Sequence, residues 1–324
     1  MDKQNQHFVP QGLLRQFTIP GERSLIWEIS KSHGQYRRSP VSVKKICSRK
    51  FYYYQRNEND GIDHRTLEDK FSEIESIGSV ILNSIIKQKD QDFVNLGQEE
   101  RGKFSFYLAL LLTRGPVFRE AINDMHGALV QQLTMELQAS NSLPEMPTAL
   151  KEYIDAKGGI EKALKIQIFP QVSLGPMIEM ARQIGISMIE KSWVIYRCKS
   201  TIPITDCPFV FFADNGINVG PANPNAQVII SLNRNIFLRV NPGANDGDTV
   251  RVEDADDEQL NTIRELLVRA ANEYVYSSDK SDVLAQLVIK YRNQRQKVLL
   301  DLPANQMWNV LNEPPEGSIY KGET

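Results

Sequence analysis

Apolar positions recur every three or four residues along the middle of the chain and cluster into short continuous runs on either side of it. From Thr66 to about Gln88, Leu67, Phe71, Ile74, Ile81, Leu82 and Ile85 form one stripe, while Glu68, Asp69, Glu73 and Glu75 take other faces. That spacing predicts an amphipathic helix. Gln98 to about Arg114 carries Phe104, Tyr107, Leu108, Leu111 and Leu112 and is apolar on too many sides for a surface helix, so it is expected at the centre of the core. Gly115-Pro116 imposes a kink or tight connection before a further long helix to about Ser140. Asn141 to Pro147 reads as a loop. Ser173 to about Lys191 reads as another helix, with Pro176 in its first turn and Met177, Ala181, Ile184 and Met188 at helical spacing.

Outside this stretch the pattern is that of strands. Near the N-terminus Pro10 suits the start of a short helix with Leu13, Leu14 and Phe17, stopped by Gly21. Leu25 to Ile29 then has strand composition, Ser32-His33-Gly34-Gln35 a turn composition, and Tyr36 to Val43 is expected to return antiparallel. Beyond Trp193, the runs 193–197, 208–212, 227–231 and 235–240 are rich in β-branched and aromatic residues and predict one antiparallel sheet. Asp214 to Asn225 reads as a long connection. Asp254 is expected to cap a helix to about Asn272, followed by a short strand at Tyr274-Val275-Tyr276 and a helix from about Ser281 to Lys297. The fold class expected is therefore α+β, predominantly helical: an N-terminal hairpin, a central helical assembly and a C-terminal antiparallel sheet flanked by helices. Residues 1–300 are read as one composite domain, with its helical part at about 66–191 and its sheet part at about 192–277. Residues 301–324 are read as a flexible C-terminal tail. No internal repeat or low-complexity tract stands out.

Composition changes this picture little. The 324 residues are 41% hydrophobic and 24% charged, an ordinary globular balance, and the net charge of −2 gives no global drive toward an acidic partner. Any charged ligand must be met by a local patch. The opening MDKQNQHFVPQ is polar and no run approaches the roughly 18 apolar residues of a membrane span, so no membrane is expected and the location expected is cytoplasmic. Cys47, Cys198 and Cys207 are odd in number and widely spaced, without a zinc-binding pattern, and are read as free thiols. Cys207, between Asp206 and Pro208, is either a nucleophile or a buried structural cysteine.

Three constellations could carry chemistry. His7, Gln11 and Arg15 surround a short apolar segment; if the chain turns helical at Pro10, Gln11 and Arg15 share a face with His7 just before it. They either converge on one anion or metal, or His7 caps the helix and Arg15 pairs with a carboxylate. Ile204-Thr205-Asp206-Cys207-Pro208 places Asp206 at a strand end, a position that suits an active-site carboxylate or one that merely holds a turn. Between Lys31 and Arg56 lie eight basic residues and no acidic one, with Phe51-Tyr52-Tyr53-Tyr54 near the end. This supplies cations for phosphates and flat rings for bases, or else a solvated face over core tyrosines. The acidic run from Asp246 to Glu258 is read as a loop and helix N-terminus, with a metal site as the alternative.

His7-x-Val9-Pro10-Gln11-x-x-Leu14-Arg15-x-Phe17, Trp27, Phe51-Tyr52-Tyr53, Leu67-Glu68 with Glu75, Arg114-Gly115-Pro116, and Trp193 leading to Thr205-Asp206-x-Pro208 together resemble a bacterial family called domain of unknown function 4238. The resemblance extends over most of the chain, about residues 5–280. Cys207 stands where the family more usually has Asn. The resemblance implies a shared architecture and brings no activity with it.

Walker, Gly-x-Ser-x-Gly, His-Glu-x-x-His and dinucleotide motifs are missing, which lowers the standing of the enzyme classes they mark. Two functions are weighed. The first is an enzyme of toxin or phage-defence type, a metal-dependent hydrolase or nuclease acting on a phosphate-containing substrate. His7, Glu75 and Asp206 would form its site, with a divalent metal or base catalysis. Gln11, Arg15, Arg37, Arg38, Lys44, Lys45 and Tyr53 would bind the substrate, a nucleic acid or nucleotide. The second is a non-catalytic binding or regulatory module in which the same residues form a buried polar network.

Overall fold

A computed structural model describes residues 5–56, 61–63, 65–163, 168–213, 220–296, 299–301 and 309–311. Strand β1 (Asn5–His7) leads into a one-turn helix α1 (Gln11–Leu14), which continues as a 3-10 turn over Arg15–Phe17. Six short strands follow: β2 (Leu25–Ser30), β3 (Gln35–Tyr36), β4 (Val41–Ser42), β5 (Ser48–Lys50), β6 (Gln55–Arg56) and β7 (Ile62–Asp63). Next come α2 (Thr66–Lys87), β8 (Phe93–Asn95), α3 (Gln98–Thr113), α4 (Pro116–Ala139), α5 (Thr148–Lys157), α6 (Ile160–Ala163) and α7 (Leu174–Ile189). The remainder comprises β9 (Ser192–Arg197), β10 (Ile204–Thr205), β11 (Phe209–Phe212), β12 (Gln227–Asn233), β13 (Ile236–Asn241) and β14 (Thr249–Asp254), then α8 (Asp257–Ala270), β15 (Tyr274–Ser277) and α9 (Asp282–Lys290). Leu299–Asp301 (β16) and Asn309–Leu311 (β17) pair antiparallel; most of the tail expected to be flexible lies outside the described residues.

A six-stranded sheet, in the order β11-β12-β13-β9-β14-β8, forms the middle layer of the molecule. Because side chains alternate across a strand, β12 sends Val228, Ile230 and Leu232 into the core shared with α3 and α7, and Ile229 toward Leu260, Ile263 and Leu266 of α8. Burial on both faces is why these strands read as continuous apolar runs. Helix α3 lies at the centre of the larger core, as its all-round apolarity predicts. Gly78 of α2 lets it approach this helix: a Cβ there would sit 2.4 Å from the Tyr107 ring. Four arginines are buried against aromatic rings, Arg101 on Trp193, Arg114 on Phe71, Arg119 on Tyr52 and Arg269 on Tyr291. Stacking on a ring offsets part of the desolvation of a guanidinium.

The second large sheet, β10-β15-β2-β3 with β4 also on β2, joins the N-terminal hairpin to residues some 250 positions away. One face packs Ile29 and Val275 on Val268, Leu284 and Val288 of α8 and α9. The other presents Glu28, Tyr274 and Tyr276.

Two expectations are corrected. The chain is not predominantly helical; at 45% helix and 21% strand it is a mixed α and β structure. Nor is sheet confined to the C-terminus, or wholly antiparallel: β8 and the N-terminal hairpin are sheet members, and β14 runs parallel to β9. The three residues of β8 are too few to show a period. Strand β14 alternates buried Val250 and Val252 with exposed neighbours inside the acidic run, where charge hides the pattern. The cap of α8 is Asp256 rather than Asp254, in a reciprocal capping box with Gln259.

Candidate functional site

The first cluster forms where β1 pairs with β5, His7 opposite Ser48, and the chain then turns helical after Pro10. One turn of helix separates Gln11 from Arg15, whose guanidinium donates to Gln11 Oε1 at 3.1 Å. The Gln11 amide in turn faces His7 Nδ1 at 3.5 Å. His7 Nε2 lies 3.3 Å from the Val43 carbonyl. A carbonyl only accepts, so the proton belongs on Nε2 and Nδ1 carries the lone pair. Burial pushes the imidazole below its usual pKa; the Val43 bond and the Glu75 charge oppose this, while Arg114 and Arg15 reinforce it. Glu75 itself pairs with Arg114 at 2.7 Å, and that arginine is fully buried at the end of α3. Tyr53, expected to stack on a base, is instead 1% exposed; its ring packs on Phe71 and its hydroxyl donates to the His7 carbonyl at 3.0 Å.

Asp206 belongs to a different place. Its carboxylate accepts from the backbone N–H groups of Asn272 at 2.8 Å, Glu273 at 2.7 Å and Tyr274 at 3.1 Å. Burial pushes its pKa up to about 6 against the pull of those three donors and of Lys31. The adjacent Cys207 thiol is pushed up to about 12 by burial and by Asp206, so it is protonated at neutral pH and unsuited to nucleophilic attack. Asp206 lines a cavity in which Phe8, but not His7, takes part. His7, Gln11, Arg15 and Glu75 are thus brought into one electrostatic neighbourhood, and Asp206 opens onto another.

That cavity, of about 590 Å³, lies between the Glu28, Tyr274 and Tyr276 face of the five-stranded sheet and the segment 39–49. Glu28, Tyr274 and Tyr276 line it from the sheet, with Glu28 in register opposite Tyr276 and the two tyrosine rings 6.2 Å apart. Lys45 and Arg49 line it from the facing segment, together with Arg37. Cys47, also in the lining, has φ 50, a left-handed conformation uncommon in a residue other than glycine and held here by the Phe8 N–H on its carbonyl.

The basic stretch therefore divides. Lys31 is buried, its ammonium capping α8 through the carbonyls of Val268 and Ala271, both at 2.8 Å, and of Gln294. Arg38, Lys44 and Lys50 are exposed but lie outside the cavity lining, and the Arg56 side chain lies outside the described residues. Arg37 reaches Glu28 at 3.4 Å and Arg49 reaches Glu120 at 3.3 Å; among the described residues Lys45 has no carboxylate partner.

Among the described residues there is no group of three or more His, Cys, Asp or Glu suited to a metal ion. A divalent metal on Glu75 and Asp206 does not fit: the first carboxylate holds Arg114, and the second is taken by three N–H groups. In the acidic run Asp246 accepts from Ser192, Asp254 pairs with Arg197 and Asp256 caps α8. Reading the residues in order missed Glu28, Tyr274, Tyr276 and Arg114. The one available signal was Glu28, a lone acid inside an otherwise apolar strand.

The matching family model spans residues 5–281, and the chain belongs to that family, described as protein of unknown function DUF4238. No curated protein and no solved structure matches the chain. Among the described residues no helix is long and apolar enough to cross a membrane.

Proposed function

We propose that the protein is a binding module for a phosphate-bearing ligand, held in the cavity between the five-stranded sheet and residues 39–49. The observation that carries this reading is the convergence of Arg37, Lys45 and Arg49 on one cavity lined by aromatic rings. Its volume falls within the few hundred to about 1,000 Å³ typical of small-molecule sites, and cations beside flat rings suit a phosphate joined to a base. Lys45, without an acidic partner among the described residues, is the cation freest to meet a phosphate. The ligand is a nucleotide, either free or as one unit of a single strand. Titrating mononucleotides and a single-stranded oligonucleotide into the protein at low salt tests this. Binding is expected, falling as salt rises, and reduced by Lys45→Glu with Arg49→Glu. Tight binding of the oligonucleotide alone assigns a strand, and equal binding of mononucleotides assigns a free nucleotide. No binding of either at low salt, where attraction is strongest, overturns the reading.

A second reading, acid–base catalysis at His7, is favoured by the neutral ring with its Nε2 proton held by Val43 and an Nδ1 lone pair met by the Gln11 amide at a long 3.5 Å. Phosphoesterase activity abolished by His7→Gln at unchanged thermal stability would support it; no activity in the unmutated protein would dismiss it.

A further inference from the structure

The cavity lining is chemically two-sided. Cations occupy the segment facing the sheet, and on the sheet itself Glu28 stands between aromatic rings. Its side chain is 13% exposed, and among the described residues its only ion-pair partner is Arg37, at a long 3.4 Å and itself 60% exposed. Asp206, a short way along the same lining, has its carboxylate filled by three N–H groups. Glu28 lacks such a set. One oxygen accepts from Arg37 and retains a second lone pair, while the other makes no hydrogen bond among the described residues.

Resting on the reading of this cavity as a nucleotide site, we infer that the base is guanine, with its ring against Tyr274 and its N1–H and N2–H donors on the carboxylate of Glu28. Glu28 and guanine have matching edges. Two adjacent carboxylate oxygens accept two parallel donors, and among the common bases only guanine presents N–H groups side by side on its pairing edge. Adenine and cytosine set an acceptor beside their amino group, and uracil flanks its single N–H with two carbonyls. Each would turn a lone pair toward a carboxylate oxygen. Tyr274, half-buried and stacked on Tyr276, offers a supported face for the ring. With the base on the sheet, the phosphate extends toward Lys45 and Arg49.

GMP, IMP and AMP titrated calorimetrically into the full chain distinguish the outcomes. GMP is expected to bind about tenfold or more tighter than AMP, with IMP, which keeps N1–H and lacks the amino group, in between. Glu28→Gln is expected to bring GMP and AMP within about threefold of each other, because the amide replaces one acceptor with a donor. Thermal unfolding of the variant checks that it folds, and the ranking of the three ligands on the unmutated protein needs no variant. AMP bound as tightly as GMP overturns the guanine assignment and leaves the phosphate site standing, provided Lys45→Glu weakens both. No binding of any of the three removes the cavity reading and this inference together.

Discussion

The cluster around His7 and the cavity around Glu28 hold the same kinds of residue, cations, carboxylates and tyrosines, and differ in where their charges end. Around His7 the charged and polar side chains turn to groups of the chain itself. Arg15 turns to Gln11, Arg114 to Glu75, and Tyr53 to a main-chain carbonyl, with the arginine and tyrosine fully buried. In the cavity Arg37, Lys45 and Arg49 remain exposed, and Glu28 is short of donors. A polar spacing such as His7, Gln11 and Arg15 thus reports that side chains meet, because residues four apart on a helix face one another. It does not report whether water or a ligand can reach them. The end of β1 separates the two places: Phe8, just past the strand, lines the cavity while the preceding His7 turns toward Val43.

The largest effect that tests this contrast is Tyr53→Ala. If Tyr53 belongs to the interior, removing its ring leaves a cavity against Phe71 and frees the His7 carbonyl, with an expected loss of about 4 kcal/mol in urea unfolding. A loss of less than about 1 kcal/mol would return Tyr53 to the surface and erase the difference between the two regions.

A smaller effect is expected at Asp206, where the sign of the pH dependence separates the regions. Asn keeps one good acceptor and turns an amide N–H₂ toward a backbone donor, so Asp206→Asn is expected to cost about 2 kcal/mol. Burial raises the Asp206 pKa from 3.8 to about 6, so the folded chain keeps that proton to higher pH than the unfolded chain. Its contribution to stability therefore falls as pH rises from about 4 to about 6. His7 acts oppositely: burial lowers its pKa below 6.5, the folded chain releases its proton first, and stability rises with pH up to that value. Unfolding measured across this range should steepen upward in Asp206→Asn and flatten in His7→Gln. The same slope in both variants would contradict the assignments.

Much of this was legible from residue order and some was not, for reasons of range. Helix α2 was expected from Thr66 to about Gln88 and occupies Thr66–Lys87, since a period sustained over six turns is hard to mistake. The i, i+4 relation of Gln11 and Arg15 is local and was legible too. Helix α5, almost wholly exposed, has too weak an apolar face to announce itself. The pairing of β2 with β15 joins Glu28 to Tyr276 across most of the chain, and no local pattern encodes which strands meet. The cavity depends on that pairing, so it was hidden for the same reason, although Lys45 and Arg49 already stood in the basic stretch.

The smallest expected effect is at Lys45, and there the near-zero value is the informative one. An exposed lysine with no ion pair among the described residues contributes little to the fold, so Lys45→Ala should alter unfolding free energy by no more than about 0.5 kcal/mol. Set beside Tyr53→Ala, this gives one residue that the fold needs and one that it does not. If the Lys45 ammonium crowds the other cations of the cavity, Arg37 and Arg49, its removal relieves repulsion and the change is slightly stabilising, more so at low salt than at high. A clear destabilisation, above about 1 kcal/mol and insensitive to salt, would mean that Lys45 is held by the protein itself, and the cavity would then resemble the His7 cluster, where charged side chains pair with one another.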